Sequence, residues 1–360
     1  MAASDFKKAA ESDPKNPVAL CSWGVALCEV ARLKNHEALY REAIDKYEAA
    51  LRLKPNYPEV LHEWGVALGG LARLKNDEAL YREAIDKCKA ALRLKPNYPE
   101  VLHEWGVALI QLARLKNDEA LYREAIVKFE AALRLKSDFP EALTSWGAAL
   151  ARLARLKNDE ALYREAIDKY EAALRLKPDL PEALTSWGAA LTRLARLRND
   201  EALYREAIDK FEAALRLRAD FVYALLPLGT ALAGLARMKR DQNLYREAIS
   251  KFDAALQMKP SYAGALESLG GALLDLWEIA KEDELLDRAR VALDRHEQLD
   301  PRRPYNRARL AAILGDEEGC RLRLSRVKAA GMLPKSDDLK SDFSLEAVRE
   351  KPWFKEILDE

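Results

Sequence analysis

The chain has 360 residues, of which 33% are charged, and its 59 basic residues balance 59 acidic ones to a formal net charge of zero. With 4 cysteines, 15 glycines and 15 prolines, it is neither a highly charged disordered chain, nor a disulfide scaffold, nor collagen-like. No run reaches the roughly 18 apolar residues of a membrane span, and the neutral balance gives no general field for nucleic acid or an anionic lipid surface.

In chain order, Met1 to Asp13 carries charges and lacks an apolar stretch, so it does not read as a secretory leader. Domains of about 150 residues would suggest two or three of them, but repetition overrides that prior. Tyr40, Tyr81, Tyr122, Tyr163, Tyr204 and Tyr245 lie 41 residues apart. The same interval separates Trp23, Trp64, Trp105, Trp146 and Trp187, a series continued by Leu228 and Leu269 and followed each time by Gly. Pro17, Pro58, Pro99, Pro140 and Pro181 mark another phase, interrupted at Val222 and Ala263 and resumed at Pro304. Phe6, Ala9 and Pro14 align with Tyr47, Ala50 and Pro55, so residues 1–16 read as a partial repeat or capping helix. Residues 17–303 hold seven units in one register.

Each unit predicts two helices. In the second, Pro58 suits the first helical position, and Leu61, Trp64, Leu68 and Leu71 share one face. Gly65 beside Trp64 implies the close approach of a neighbouring helix. Asn76 or Asp77 can cap the next helix. Leu80, Tyr81, Ala84, Ile85, Cys88, Ala91 and Leu92 form its apolar face, and Pro96 ends it. Each helix should have about 17 residues and span roughly 25 Å. Two such helices cannot bury both apolar faces alone, whereas stacking on the next pair does so. The interleaved charges, as in Arg82 to Lys87, read as a solvated face.

The unit resembles the tetratricopeptide repeat, whose pattern of about 34 residues places Trp, Leu, Gly and Tyr on its first helix and Ala, Phe, Ala and Pro on its second helix and turn. Leu61, Trp64, Gly65 and Leu68 fall on the first set, and Ala84, Cys88, Ala91 and Pro96 on the second. The excess of about seven residues, or two helical turns, identifies a long variant with extended inner helix ends. The resemblance implies an all-α fold: a right-handed superhelical α-solenoid of antiparallel helix pairs with a helical C-terminal cap. Residues 304–360 resemble the module that closes bacterial arrays of this family, with Asp342, Leu345, Val348, Arg349, Pro352, Trp353 and Phe354 matching its ending. A divergent helix pair is expected there, then one amphipathic helix from Ser344 to Leu358, with Trp353 and Phe354 in the core of the cap.

No catalytic motif occurs: there is no phosphate-binding loop, dinucleotide fingerprint, H-E-x-x-H or G-x-S-x-G. The sequence reads as a non-enzymatic protein with no cofactor and no metal. Cys21 and Cys28 are two helical turns apart, too far for a disulfide, and with Cys88 and Cys320 they fit a reducing, cytoplasmic setting. His62 and His103, 41 residues apart and each beside a glutamate, are the best candidates for a cryptic metal site but lack a close ligand pattern.

In the resembled family the first helices line a concave groove that holds a protein or peptide. Carried over position by position, the lining is Glu59, His62, Val66, Glu100, His103, Val107, Gln111, Thr144, Arg152, Thr185, Arg193, Tyr223, Leu226 and Thr230. These positions vary between units while the second helices are nearly constant, which suggests a shared scaffold with a varied reading face. The lining suits an apolar peptide contact, with Arg152 and Arg193 available for carboxylates. The family's carboxylate clamp for chaperone tails needs Lys and Asn where His62, Val66, His103, Val107, Thr144 and Ala148 stand, so that clamp is absent. The function that follows is a protein–protein interaction scaffold binding a peptide or protein segment. Self-assembly into a homo-oligomer through the repeat ends is the main alternative. No membrane partner is expected. Nucleic acid is disfavoured by zero net charge and by Glu59, Glu100, Glu141 and Glu182.

Overall fold

The computed structural model describes residue 8 and residues 12–358. The helix expected before residue 16 rests on Phe6 and Ala9, which lie outside the described residues. Among the described residues there is no strand, and no helix is long and apolar enough to cross a membrane. The chain divides into two units, residues 1–179 and 180–360.

The first unit contains four helix pairs: Pro17–Lys34 with Glu37–Leu53, Pro58–Lys75 with Glu78–Leu94, Pro99–Lys116 with Glu119–Leu135, and Pro140–Lys157 with Glu160–Leu176. Each first helix packs on its own second helix, which packs in turn on the next first helix. Every first helix begins at a proline, whose missing N–H costs nothing there. Each ends at an asparagine in the left-handed region: Asn35, Asn76, Asn117 and Asn158, with φ between 49 and 55°. The following aspartate then starts the second helix; the Asp77 carboxylate accepts from the N–H groups of Ala79 and Leu80 at 2.8 and 3.3 Å. Asn76 thus makes the turn and Asp77 makes the cap. In the first pair His36 holds the capping position and makes no such bond.

The interior of each pair is a small residue against a ring. A Cβ added to Gly24, Gly106 or Gly147 would come within 2.5, 2.5 and 2.6 Å of Tyr47, Phe129 and Tyr170. The helix approaching the glycine is therefore the second helix of the same pair. In the pair where Cys88 replaces the ring, the nearest atoms to a Cβ on Gly65 are 3.4 Å away. Burying each such ring contributes roughly 1.5–3 kcal/mol. The tryptophan before each glycine is covered by a lysine of the second helix, with ammonium-to-ring distances of 4.1 Å for Lys46 on Trp23 and 3.5 Å for Lys87 on Trp64.

The second unit continues the pairing with Pro181–Arg198 and Glu201–Leu217, Val222–Lys239 and Gln242–Met258, and Ala263–Ala280 and Glu284–Leu299. Here the left-handed turns after Lys239 and Ala280 fall on Arg240 and Lys281, φ 51 and 56°. Tyr305–Ile313 and Glu317–Ala329 form a shorter pair. The single helix expected over 344–358 is instead a 3-10 segment, Phe343–Val348, and a separate helix, Pro352–Ile357. Pro352 lacks a donor and disfavours helix at the residue before it, and Lys351 is accordingly extended at φ −70, ψ 139°. The terminal segments close on Leu324, Leu339, Leu345 and Phe354, all fully buried. Trp353 is buried with them, edge-on to Phe354 at 5.9 Å, and donates to Glu317 at 2.8 Å.

Candidate binding grooves

In the first unit, successive first helices and the inner ends of second helices enclose an open cavity of about 240 Å³. Val25, Val66, Gly69, Gly70, Val107 and Gln111 form its small, mostly apolar floor. Gly69 meets nothing within 4 Å, while a Cβ on Gly70 would strike the Tyr40 ring and hydroxyl at 2.6 and 2.7 Å. Tyr40 and Tyr81 thus reach the groove from the preceding pair. Arg32 and Arg73 line the same cavity, as do Glu29, Glu63 and Glu104.

The basic residues of this unit sort into two rows only two residues apart. Lys75, Lys116 and Lys157 each reach a glutamate of the preceding second helix, Glu37, Glu78 and Glu119, at 3.3 Å. Those glutamates also take arginines four residues on, as in Arg41–Glu37 at 2.8 Å. By contrast, Arg32, Arg73, Arg114 and Arg155 are exposed and make no ion pair among the described residues. They stand instead around tyrosine hydroxyls. Burial pushes the Tyr40, Tyr81 and Tyr122 hydroxyls up from their ordinary value, and guanidinium charge opposes it. Arg73 and Arg32 act on Tyr40, Arg114 and Arg73 on Tyr81, and Arg152, Arg155 and Arg114 on Tyr122. The Tyr81 Oη is buried without a hydrogen-bond partner.

In the second unit an equivalent cavity of about 420 Å³ is lined by Arg193, Leu226 and Thr230, together with Arg196, Tyr204, Arg237, Asp275 and Arg309. Asp275 is 5% exposed. It holds Arg309 at 2.7 Å and also binds Arg237, while Arg309 reaches Asp342 at 2.9 Å. Burial pushes the Asp275 carboxyl up, but the charges of Arg309 and Arg237 outweigh it and leave the group below the usual carboxylate range.

The residues singled out from sequence fall in different places. Val66, Val107 and Gln111 line the first cavity, and Arg193, Leu226 and Thr230 the second. Glu59 and Glu100 pair with Lys95 and Lys136 of their own repeats at 3.6 and 3.0 Å. His62 packs on Tyr98 with ring centroids 5.5 Å apart. His103 sits 5.2 Å from Phe139, and its Nε2 is 3.0 Å from the Ser145 Oγ. No group of three or more His, Cys, Asp or Glu able to hold a metal occurs among the described residues. Beside them, Glu104 takes up the other ring nitrogen of His103 at 3.3 Å. Thr144 bonds the Pro140 carbonyl at 2.8 Å, and the Thr185 hydroxyl is buried without a partner. Tyr223 is 62% exposed and stands edge-on to Phe221. Arg152 makes no ion pair among the described residues and sits beside Tyr122. The cysteines are free thiols; burial pushes Cys21 and Cys28 up to about 11 and Cys88 and Cys320 up to about 12, so all stay protonated and weakly nucleophilic. The arginine row and Asp275 escaped the sequence reading, although the row recurs every 41 residues from Arg32 to Arg237.

Residues 135–222 and 162–258 match the family described as plant-specific mitochondrial import receptor subunit TOM20. No curated protein matches the chain. Among solved structures, a monomeric mutant of IFIT1 with Gppp-AAAA aligns at 19% identity over 88% of this chain and 69% of that one, TM-score 0.54. The human IFIT1 dimer with m7Gppp-AAAA aligns at 17% over 87% and 68%, TM-score 0.50. A tetratricopeptide repeat protein from Parabacteroides merdae aligns at 18% over 83% and 98%, TM-score 0.49. These likenesses concern the fold.

Proposed function

We propose that this chain, whose fold is that of tetratricopeptide-repeat arrays, is a protein–protein interaction scaffold that holds a peptide segment in the groove of its first unit. The observation that carries this reading is the open floor of Val66, Gly69, Gly70 and Val107, built by successive first helices and left uncovered. Such a floor suits an extended chain, which gains apolar contact while its backbone stays free to hydrogen-bond. The receptor description of the matching family favours binding over catalysis. The free, protonated thiols support a reducing compartment such as the cytoplasm.

The test is selection from a random peptide library on the immobilised full chain, repeated with Val107→Trp, which fills the groove. Enrichment lost in that variant, with an unchanged melting curve, supports the reading. Enrichment that survives Val107→Trp, or no enrichment at all, removes it.

A further inference from the structure

We propose that the arginine–tyrosine stripe of the first unit, Arg32, Arg73, Arg114 and Arg155 with Tyr40, Tyr81 and Tyr122 between them, recognises an acidic peptide whose carboxylates recur about once per repeat. This rests on the groove reading above and names the chemistry of its occupant.

The lysine row two residues away is paired to glutamates repeat after repeat, so the sequence can build a counter-ion on this scaffold. The arginine row makes no such pair among the described residues, although Glu29, Glu63 and Glu104 line the same cavity. Successive guanidiniums therefore repel one another, most of all where Arg114, Arg152 and Arg155 gather at Tyr122. Burial and those two neighbours press the Arg152 guanidinium below its ordinary value. A ligand carrying carboxylates relieves that repulsion and gives each arginine a charge-assisted bond.

Packed helices lie roughly 8–10 Å apart, and an extended chain advances about 3.3–3.6 Å per residue. One acidic residue in every three then meets one arginine per repeat.

The stripe favours peptide over nucleic acid. Single-stranded nucleic acid is held by exposed ring faces as well as by charge. Here Tyr40, Tyr81 and Tyr122 are 3%, 1% and 2% exposed, so no ring face is available for stacking. Glu29, Glu63 and Glu104 in the same groove can accept peptide N–H groups, which a sugar-phosphate backbone does not offer.

The experiment uses fluorescence anisotropy with the full chain and three labelled probes. They are a 12-residue peptide with Glu at every third position in an Ala/Ser background, the same peptide with Gln for Glu, and a 12-nucleotide oligouridine. The variants are Arg73→Gln/Arg114→Gln and the charge-matched control Lys75→Gln/Lys116→Gln, each checked by its melting curve. The expected result is that the Glu peptide binds at least about tenfold more tightly than the Gln peptide. That advantage should be lost in the arginine variant and kept in the lysine variant. Equal loss in both variants would reduce the stripe to a diffuse field and overturn the proposal. Equal binding of the Glu and Gln peptides would also overturn it while leaving the groove reading intact. Oligouridine binding more tightly than the Glu peptide would replace it with nucleic-acid recognition.

Discussion

The two units carry the same arginine row and treat it in opposite ways. In the first, Arg32, Arg73, Arg114 and Arg155 make no ion pair among the described residues, although Glu29, Glu63 and Glu104 line the cavity that Arg32 and Arg73 share. In the second, the row runs into Asp275, which binds Arg237 and Arg309, and Arg309 in turn binds Asp342 of the closing segments. The interiors do not differ in this way: Gly24 on Tyr47 and Gly188 on Phe211 repeat one packing motif. The scaffold is thus constant, and the handling of charge distinguishes an open stretch of array from its end.

The largest effect should come from Asp275, the acid of the second unit that binds two arginines. Asp275→Asn leaves buried Arg309 short of one counter-charge, and should cost about 3 kcal/mol in urea melts. Hydrogen exchange should show the loss in the second unit, with the first unit's helices protected as before. An equal loss in both units would break the contrast. The same carboxylate predicts a pH dependence. Its folded pKa is depressed, so its contribution is complete above roughly pH 4, the unfolded aspartate range. It is lost as pH falls through the folded value. Melting temperature followed from pH 6 to 3 should fall less steeply in Asp275→Asn than in the parent chain.

The shared interior predicts the next effect. Gly106→Ala forces a Cβ into the Phe129 ring and should cost about 1–3 kcal/mol. Gly65→Ala, facing Cys88 at 3.4 Å, should cost clearly less by the same melts. The smallest effect concerns the turns. The first unit uses asparagine at every left-handed helix end, whereas the second keeps Asn199 and then uses Arg240 and Lys281. Arg240→Asn should therefore stabilise by about 0.5–1 kcal/mol, whereas Asn117→Arg should destabilise by a similar amount. Thermal melts check both.

Most of the fold was legible because the period exposes it. Prolines at helix starts, an Asn-Asp turn and glycines beside tryptophans recur often enough to define the helix pair. The cap was harder to read, because Pro352 splits a stretch whose apolar spacing suits one helix. The groove was legible in part. Choosing positions that vary between units found Val66 and Val107 but passed over Arg73 and Arg114. These recur without change and merge with the paired charges around them. Net charge could not point to the row for the same reason: paired lysines and glutamates cancel in the sum and do not show which arginines lack an ion pair. Glu59 and Glu100 each pair with a lysine at the end of their own repeat, a partner about 36 residues away that only the folded helix pair brings close.

The lysine bridge from each first helix to the preceding second helix spans a fixed interval of 38 residues. Every such link joins nearest neighbours and none reaches further. Cutting or duplicating the segment from Pro99 to Phe139 would therefore leave each link of the same type intact at the new junction. The first unit behaves as a ruler in this respect. Adding one graduation adds one arginine to the row, and on the proposed reading lengthens by about three residues the peptide that it would hold.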